Sequence, residues 1–220
     1  MKRLIIIGVL LGVLLSSSAW GWGIMGMGGV VVASDYTLEV SASSTCIQKD
    51  TNATWDTIHD DTSGSAGTNT GVERTAGGNY TIYRTHVRFD CTDLPASFTI
   101  TGAYIELYPT VKEDSNSKTI IACDSSYDGT CSGNEMGACT IDSPTQYGSS
   151  AIAGITINQY NNIALSSFTN ILDSATVQYC IRGQVDVEDS ATGLDNGEKD
   201  YVTLDTTTNV PKLHITYTIP

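Results

Sequence analysis

The segment Tyr83 to Asp90, YRTHVRFD, gathers the residue types of an active site into one short stretch. It holds two arginines, a histidine and an aspartate, in a chain with only 11 lysines and arginines in total. Read as an extended strand, it places Arg84, His86, Arg88 and Asp90 on one face and Thr85, Val87 and Phe89 on the other. Acid–base chemistry needs such groups to converge on a pocket that shifts their pKa values. Alternate residues of one strand instead stand about 7 Å apart along a line. The expectation is therefore a polar outer sheet face with cross-strand pairs, for instance to Glu106, and with Asp90 accepting backbone N–H bonds from the turn CTDLP. Other catalytic signatures are missing. There is no Gly-x-Ser-x-Gly elbow. GWGIMG (Gly21 to Gly26) matches Gly-x-Gly-x-x-Gly, but a β pattern follows it where a dinucleotide site needs a helix. Carboxylates are plentiful and no pair is singled out, so no catalytic residue is expected.

Two binding chemistries have candidate residues. The loop DVEDSATGLDNGEKD offers Asp186, Glu188, Asp189, Asp195 and Asp200, the oxygen donors a structural Ca²⁺ requires, although their order is not that of an EF-hand. A solvated acidic turn reads the same way. Sugar rings stack on aromatic faces whose polar tips stay wet. Tyr104 and Tyr108 share the polar side of their strand, and Trp55 lies in a polar loop, so these three are the candidate carbohydrate platform; half-buried packing residues are the alternative for each.

Six cysteines, Cys46, Cys91, Cys123, Cys131, Cys139 and Cys180, form no CxxC pair, and His59, His86 and His214 are far apart, so zinc-ligand spacing is absent. An even count in an exported chain reads as up to three disulfides with 15 possible pairings. Cys131 and Cys139 bracket SGNEMGA and could staple that loop.

The chain opens with Lys2 and Arg3, an apolar run of 12 residues from Leu4 to Leu15, and then small residues, the layout of a secretory signal peptide. Cleavage is expected after Gly21, at Ala19-Trp20-Gly21, or as late as Ala33, at Val31-Val32-Ala33. A membrane span needs about 20 residues, which favours a cleaved signal over an anchor. A glycine-rich extension (22–34) then leads into one domain (35–220), roughly 190 residues and ample for a full core. The net charge of −13 becomes about −15 without Lys2 and Arg3. A chain this acidic repels phosphate backbones, so nucleic acid is not an expected partner, and no membrane contact is expected beyond the signal.

The elements that must carry these residues are short β segments. YTLEVSA, TIYRTHVRFDC, FTITGAYIELYPTV, KTIIAC, AGITI, NNIALS, TVQYCIRGQVDV, YVTLD and KLHITYTI favour β-branched and aromatic residues. Val177, Tyr179, Ile181 and Val185 oppose Thr176, Gln178, Arg182 and Gln184; Leu213, Ile215, Tyr217 and Ile219 oppose His214, Thr216 and Thr218. One packed and one wet face is the mark of antiparallel sheets. Only LSSFTNILD reads as a short helix. Long loops are expected over 51–79, 124–150 and 188–199. The fold class is all-β: an antiparallel β-sandwich of jelly-roll type in a single domain.

YRTHVRFDCTDLPASFTITGAYIELY resembles the DNRLRE-domain family of secreted jelly-roll modules, similar to carbohydrate-binding modules. The resemblance rests on an arginine-led strand ending in Phe89-Asp90, the turn Leu94-Pro95, and the strand Ile100 to Tyr108. It extends to VPKLHITYT at the end and to IALSSFTNIL with TVQYCIRG before it. The family's tryptophan-bearing middle segment is replaced here by the cysteine-bearing loop from Cys123 to Cys139. The resemblance implies a non-catalytic extracellular module that binds extracellular or cell-surface polysaccharide. The alternative is a structural or adhesion subunit of an extracellular assembly, such as a surface filament or virion decoration, with self-assembly or virion and surface partners.

Overall fold

A computed structural model describes residues 34–172 and 175–220. The expected signal peptide, both cleavage points and nearly all of the glycine-rich extension lie outside the described residues. No described helix is long and apolar enough to cross a membrane.

Among the described residues twelve strands form, every pairing antiparallel: β1 (Asp35–Asn52), β2 (Ser65–Ala66), β3 (Asn69–Arg74), β4 (Tyr80–Asp90), β5 (Thr99–Leu107), β6 (Pro109–Asp114), β7 (Thr119–Cys123), β8 (Gln146–Ala151), β9 (Asn161–Ala164), β10 (Thr176–Gly183), β11 (Lys199–Leu204) and β12 (Lys212–Thr218). Three short helices accompany them: α1 (Trp55–His59), α2 (Thr169–Leu172) and α3 (Gln184–Val187). Three expectations change. AGITI is not a strand, because Ile152–Gly154 turn as a 3₁₀ helix after β8; QVDV leaves β10 as α3; and the expected long loop over 51–79 instead carries α1, β2 and β3.

The front sheet runs β9-β5-β12-β1 and the back sheet runs β1-β4-β10-β7-β8. Strand β1 belongs to both. Its first half pairs with β12, a register shift between Ala42 and Ser44 bends it, and its second half pairs with β4. On the far side, a bridge from Gly148 to Leu165 and a bond from Ser166 N to Tyr147 O tie β8 to the end of β9, so the sandwich closes on itself. The expected antiparallel sandwich of jelly-roll type is what forms, with the edges at β8 and β9 removed by this closure. That closure needs Gly148: a Cβ there would overlap the Ala164 carbonyl oxygen and lie 3.0 Å from its carbon. Gly148→Ala is expected to cost about 2 kcal/mol or more, read as a lower urea midpoint with unchanged slope.

Because β1 covers one edge of β4 along its whole length, β3 and β10 must share the other edge end to end. From that fork β3, β11 and β6 continue as a branch. At the fork Gly183 meets Gly71, and a Cβ on Gly183 would lie 3.0 Å from the Gly71 Cα.

Between the two sheets lies the main core. It takes Leu38 and Val40 from β1, Val87 and Phe89 from β4, Ile105 and Leu107 from β5, Val177, Tyr179 and Ile181 from β10, and Leu213 and Ile215 from β12. These are the apolar sides of the alternating segments. Each fully buried side chain of this size contributes about 1.5–3 kcal/mol relative to exposure.

Candidate functional site

The second face of the back sheet is not wet. Arg84, His86 and Arg182 are all 0 % exposed. A roof of chain covers them, made of α1, α3 and the segment from Asp124 to Ser143, with a 3₁₀ turn at Glu135–Ala138. The roof has its own apolar cluster, in which Trp55, Ile58, Met136, Val185 and Leu194 pack on Val72 and Ile82 of the sheet. The expectation that this polar face meets solvent is overturned, as is the pairing to Glu106, which belongs to the front sheet.

Under the roof Asp186 binds both arginines. Its Oδ1 accepts from Arg84 Nη2 at 2.7 Å and Arg182 Nη2 at 2.9 Å, and its Oδ2 accepts from Arg84 Nε at 3.0 Å and Arg182 Nε at 2.7 Å. The remaining guanidinium donors reach backbone carbonyls of His59, Met136, Thr140 and Asp186. Burial alone would raise the Asp186 carboxyl; the two guanidiniums overcome it and hold it well below the usual carboxylate range. The cluster is saturated with partners and sealed from solvent, which makes it a tie between sheet and roof. His86 lies beside it against Tyr127, and burial, followed by the Arg84 charge, depresses its imidazole to about 4. Asp90 keeps its expected place, accepting from Thr92 N at 3.2 Å and Thr92 Oγ1 at 2.7 Å at the turn. Arg88 is partly exposed and donates to the Asp128 carbonyl.

The five candidate Ca²⁺ ligands are not brought together. Asp186 is engaged by arginines. Asp200, buried, accepts from Asn116 N at 2.9 Å and Nδ2 at 2.8 Å. Glu188 accepts from Gln184, Asp189 accepts from Trp55 Nε1, and the backbone N–H of Asp195 bonds Glu198. Among the described residues, the groups of three potential ligand atoms lying within 4.8 Å of one another are His86, Cys139 and Cys180, and Cys46, Cys131 and Glu135. Each contains a disulfide.

The cysteine pairing corrects the expected Cys131–Cys139 staple. Cys46 of β1 bonds Cys131 and Cys180 of β10 bonds Cys139, so both loop cysteines are sewn down to the sheet rather than to each other. Cys91 and Cys123 are buried free thiols, both pushed up to about 12 by burial.

Trp55 also departs from its expected role. It is 8 % exposed, donates Nε1 to Asp189 Oδ1 at 3.0 Å, and packs on His59 and edge-on to Tyr80. It is a roof residue with no face for a sugar.

Tyr104 and Tyr108 remain together on the outer face of the front sheet. Register aligns two rows across its four strands: Glu39, His214, Tyr104 and Ala164, then Ser41, Lys212, Glu106 and Asn162. The Tyr104 and His214 rings are 4.5 Å apart with 10° between planes. That spacing is about the distance between neighbouring strands, so the rings stand upright and stack along the row. The other face of Tyr104 looks over Ala164, and along its own strand the next outward position is Gly102, where a Cβ would have nothing within 4 Å.

Polar groups surround the ring. His214 Nε2 lies 2.9 Å from Glu106 Oε2 and 3.6 Å from Glu39 Oε2, and Lys212 Nζ is 3.1 Å from Glu39 Oε1. Lys212 also sits 4.8 Å above the Tyr160 ring, which Tyr108 meets edge-on at 5.3 Å. Burial works against the Lys212 ammonium, but the Glu39 hydrogen bond and charge raise its pKa overall. Burial raises the Tyr104 phenol, with Glu106 and Glu39 adding to it, so the hydroxyl stays a donor.

No protein-family model matches the chain, and no curated protein matches it. Four chains of solved structures match, among them a xylan-binding module, CBM15, at 12 % identity and a TM-score of 0.32, with 84 % of this chain and 97 % of that one covered. The DNRLRE resemblance stands without a matching family model.

Two rings of the face, His214 and Tyr160, were not among the sequence candidates. His214 is legible only as the polar side of an alternating strand, and its stacking on Tyr104 depends on the register of β5 against β12. Tyr160 precedes β9 in a turn, with no periodicity to assign it a side.

Proposed function

We propose that the outer face of the front sheet binds an extended polysaccharide, without catalysis. One observation carries this reading: an upright Tyr104 braced by His214 on one side, with Ala164 across from it on the other and Gly102 beside it along the strand, inside a field of carboxylate, ammonium, amide and hydroxyl groups. The apolar side of a pyranose fits against the open ring face, while Glu106, Asn162 and Lys212 reach its hydroxyls. Tyr104 and Tyr108 are four residues apart, about 13 Å along the strand, which suits a chain of several sugars rather than one. Two disulfides suit the oxidising compartments outside the cytosol, where such a ligand is met.

Affinity electrophoresis of the purified chain in gels of soluble plant and bacterial polysaccharides tests the proposal. Retardation is expected on at least one, and Tyr104→Ala should weaken it about tenfold, the equivalent of about 1.4 kcal/mol. Equal migration of wild type and Tyr104→Ala on every gel would remove the site. The alternative, a structural or adhesion subunit, would instead show polymers of the purified chain in negative-stain images.

A further inference from the structure

Four sulfur or imidazole side chains lie in one line across the roofed face of the back sheet. The register pairs Cys46 of β1 with His86 of β4, His86 with Cys180 of β10, and Cys180 with Cys123 of β7. All four are 2 % exposed or less. Roof cysteines occupy two of the positions, Cys131 on Cys46 and Cys139 on Cys180; Cys123 is left as a thiol directly opposite a disulfide sulfur. Directly opposed residues on one face of an antiparallel pair have Cβ atoms about 4.5–5.5 Å apart, close to the range a disulfide bridges. The other free thiol, Cys91, points into the main core.

We propose that this row is an intramolecular thiol–disulfide exchange site, in which Cys123 displaces Cys139 from Cys180. Cys123 gives its proton to water, and its sulfur attacks the Cys180 sulfur. The Cys139–Cys180 bond breaks, its electron pair leaves with Cys139 as a thiolate, and Cys139 takes a proton back from water. One disulfide and one thiol are present before and after, so no oxidant or reductant is consumed. The leaving sulfur is provided for. Cys139 Sγ lies 3.8 Å from His86 Nε2 and 3.9 Å from Nδ1, so the N–H of a neutral imidazole is at hand to stabilise the departing thiolate. The Arg84 and Arg182 guanidiniums lie on the same face. After exchange β7 is cross-linked to β10, and Cys46–Cys131 is the one disulfide that still ties the roof to the sheet. In the closed fold the thiol is kept protonated by burial, so the exchange waits on opening of the roof.

The test incubates the full oxidised chain in increasing urea at mildly alkaline pH for a fixed time at each concentration. It is then quenched in acid, labelled with N-ethylmaleimide and mapped by non-reducing peptide mass spectrometry. Wild type should yield a Cys123–Cys180 peptide and a labelled Cys139, and Cys91→Ala should behave alike. Cys123→Ala and Cys123→Ser should both retain Cys139–Cys180 and lose the Cys139 label. Label on Cys123 with Cys139–Cys180 still intact would overturn the proposal, as would equal Cys139 labelling in the Cys123 variants.

Discussion

Replacing Asp186 by alanine is expected to cost about 3–5 kcal/mol, enough to unfold a chain of ordinary stability or to lift its roof. The carboxylate is the shared counter-ion of two guanidiniums that have no access to water. Removing it leaves two buried positive charges with backbone carbonyls as their only partners, and Asp186→Asn should be nearly as harmful because it removes the charge while keeping the shape. Urea denaturation followed by tryptophan fluorescence reads the effect, since Trp55 packs in the same roof. The triple replacement Arg84→Met, Arg182→Met, Asp186→Leu is expected to recover most of the loss, because exchanging a whole buried ion cluster for apolar groups of similar size is far milder than breaking it. A single Asp186→Ala variant with a wild-type urea midpoint would refute this account of the cluster.

Acid is expected to weaken the fold in two stages, and His86 sets the first. Its imidazole falls from an ordinary 6.5 to about 4 in the folded chain. The unfolded state therefore binds the proton more readily, so the contribution of His86 is fully present above pH 6.5 and is lost as pH falls from 6.5 to about 4. That difference is worth about 3 kcal/mol. The second stage belongs to Glu135 and Asp186. Burial alone would raise the Glu135 carboxyl, but hydrogen bonds from Ser132 and Gly133 bring it down to about 2, so its support is lost between pH 4.5 and about 2. Asp186, also depressed, adds its loss below its ordinary 3.8. Melting temperatures from pH 8 to pH 3 should decline already between pH 6.5 and 5, and His86→Gln should flatten that upper part while leaving the lower decline in place. An unchanged upper slope in the variant would assign the first stage elsewhere.

The sandwich was legible because its core strands carry their burial in the period-two pattern. Val177, Tyr179 and Ile181, and Leu213 and Ile215, all point where the alternation sends them. The roof was not, because period two separates two sides of a strand without saying what lies over either. Arg84, His86 and Arg182 look like a solvent face when the thing covering them is a stretch of Gly, Ser, Asp and Thr. A clue was nonetheless present. Cys180 stands on the same side of β10 as Arg182, and a disulfide cysteine on that side requires another segment above it. Trp55, Ile58, Met136 and Leu194, scattered through polar loops, are the apolar contacts of that segment. On the front sheet, Tyr104 and Tyr108 were legible as outward aromatics, whereas the brace from His214 depends on pairing across strands far apart in sequence. The acidic residues were misleading as a set, since their proximity along the chain says nothing about the separate partners each one takes.

On the proposed reading, the roof also sets how many chains of sugar one molecule would hold. A bare sandwich has two outer faces and could clamp a strand on each; here the central strands of one sheet are covered by the protein's own loops, which leaves the front sheet as the face for a ligand. A polysaccharide-binding module built this way would be monovalent. It would coat a polysaccharide without cross-linking it, and gelling or bundling in a mixture would have to come from one copy sticking to another.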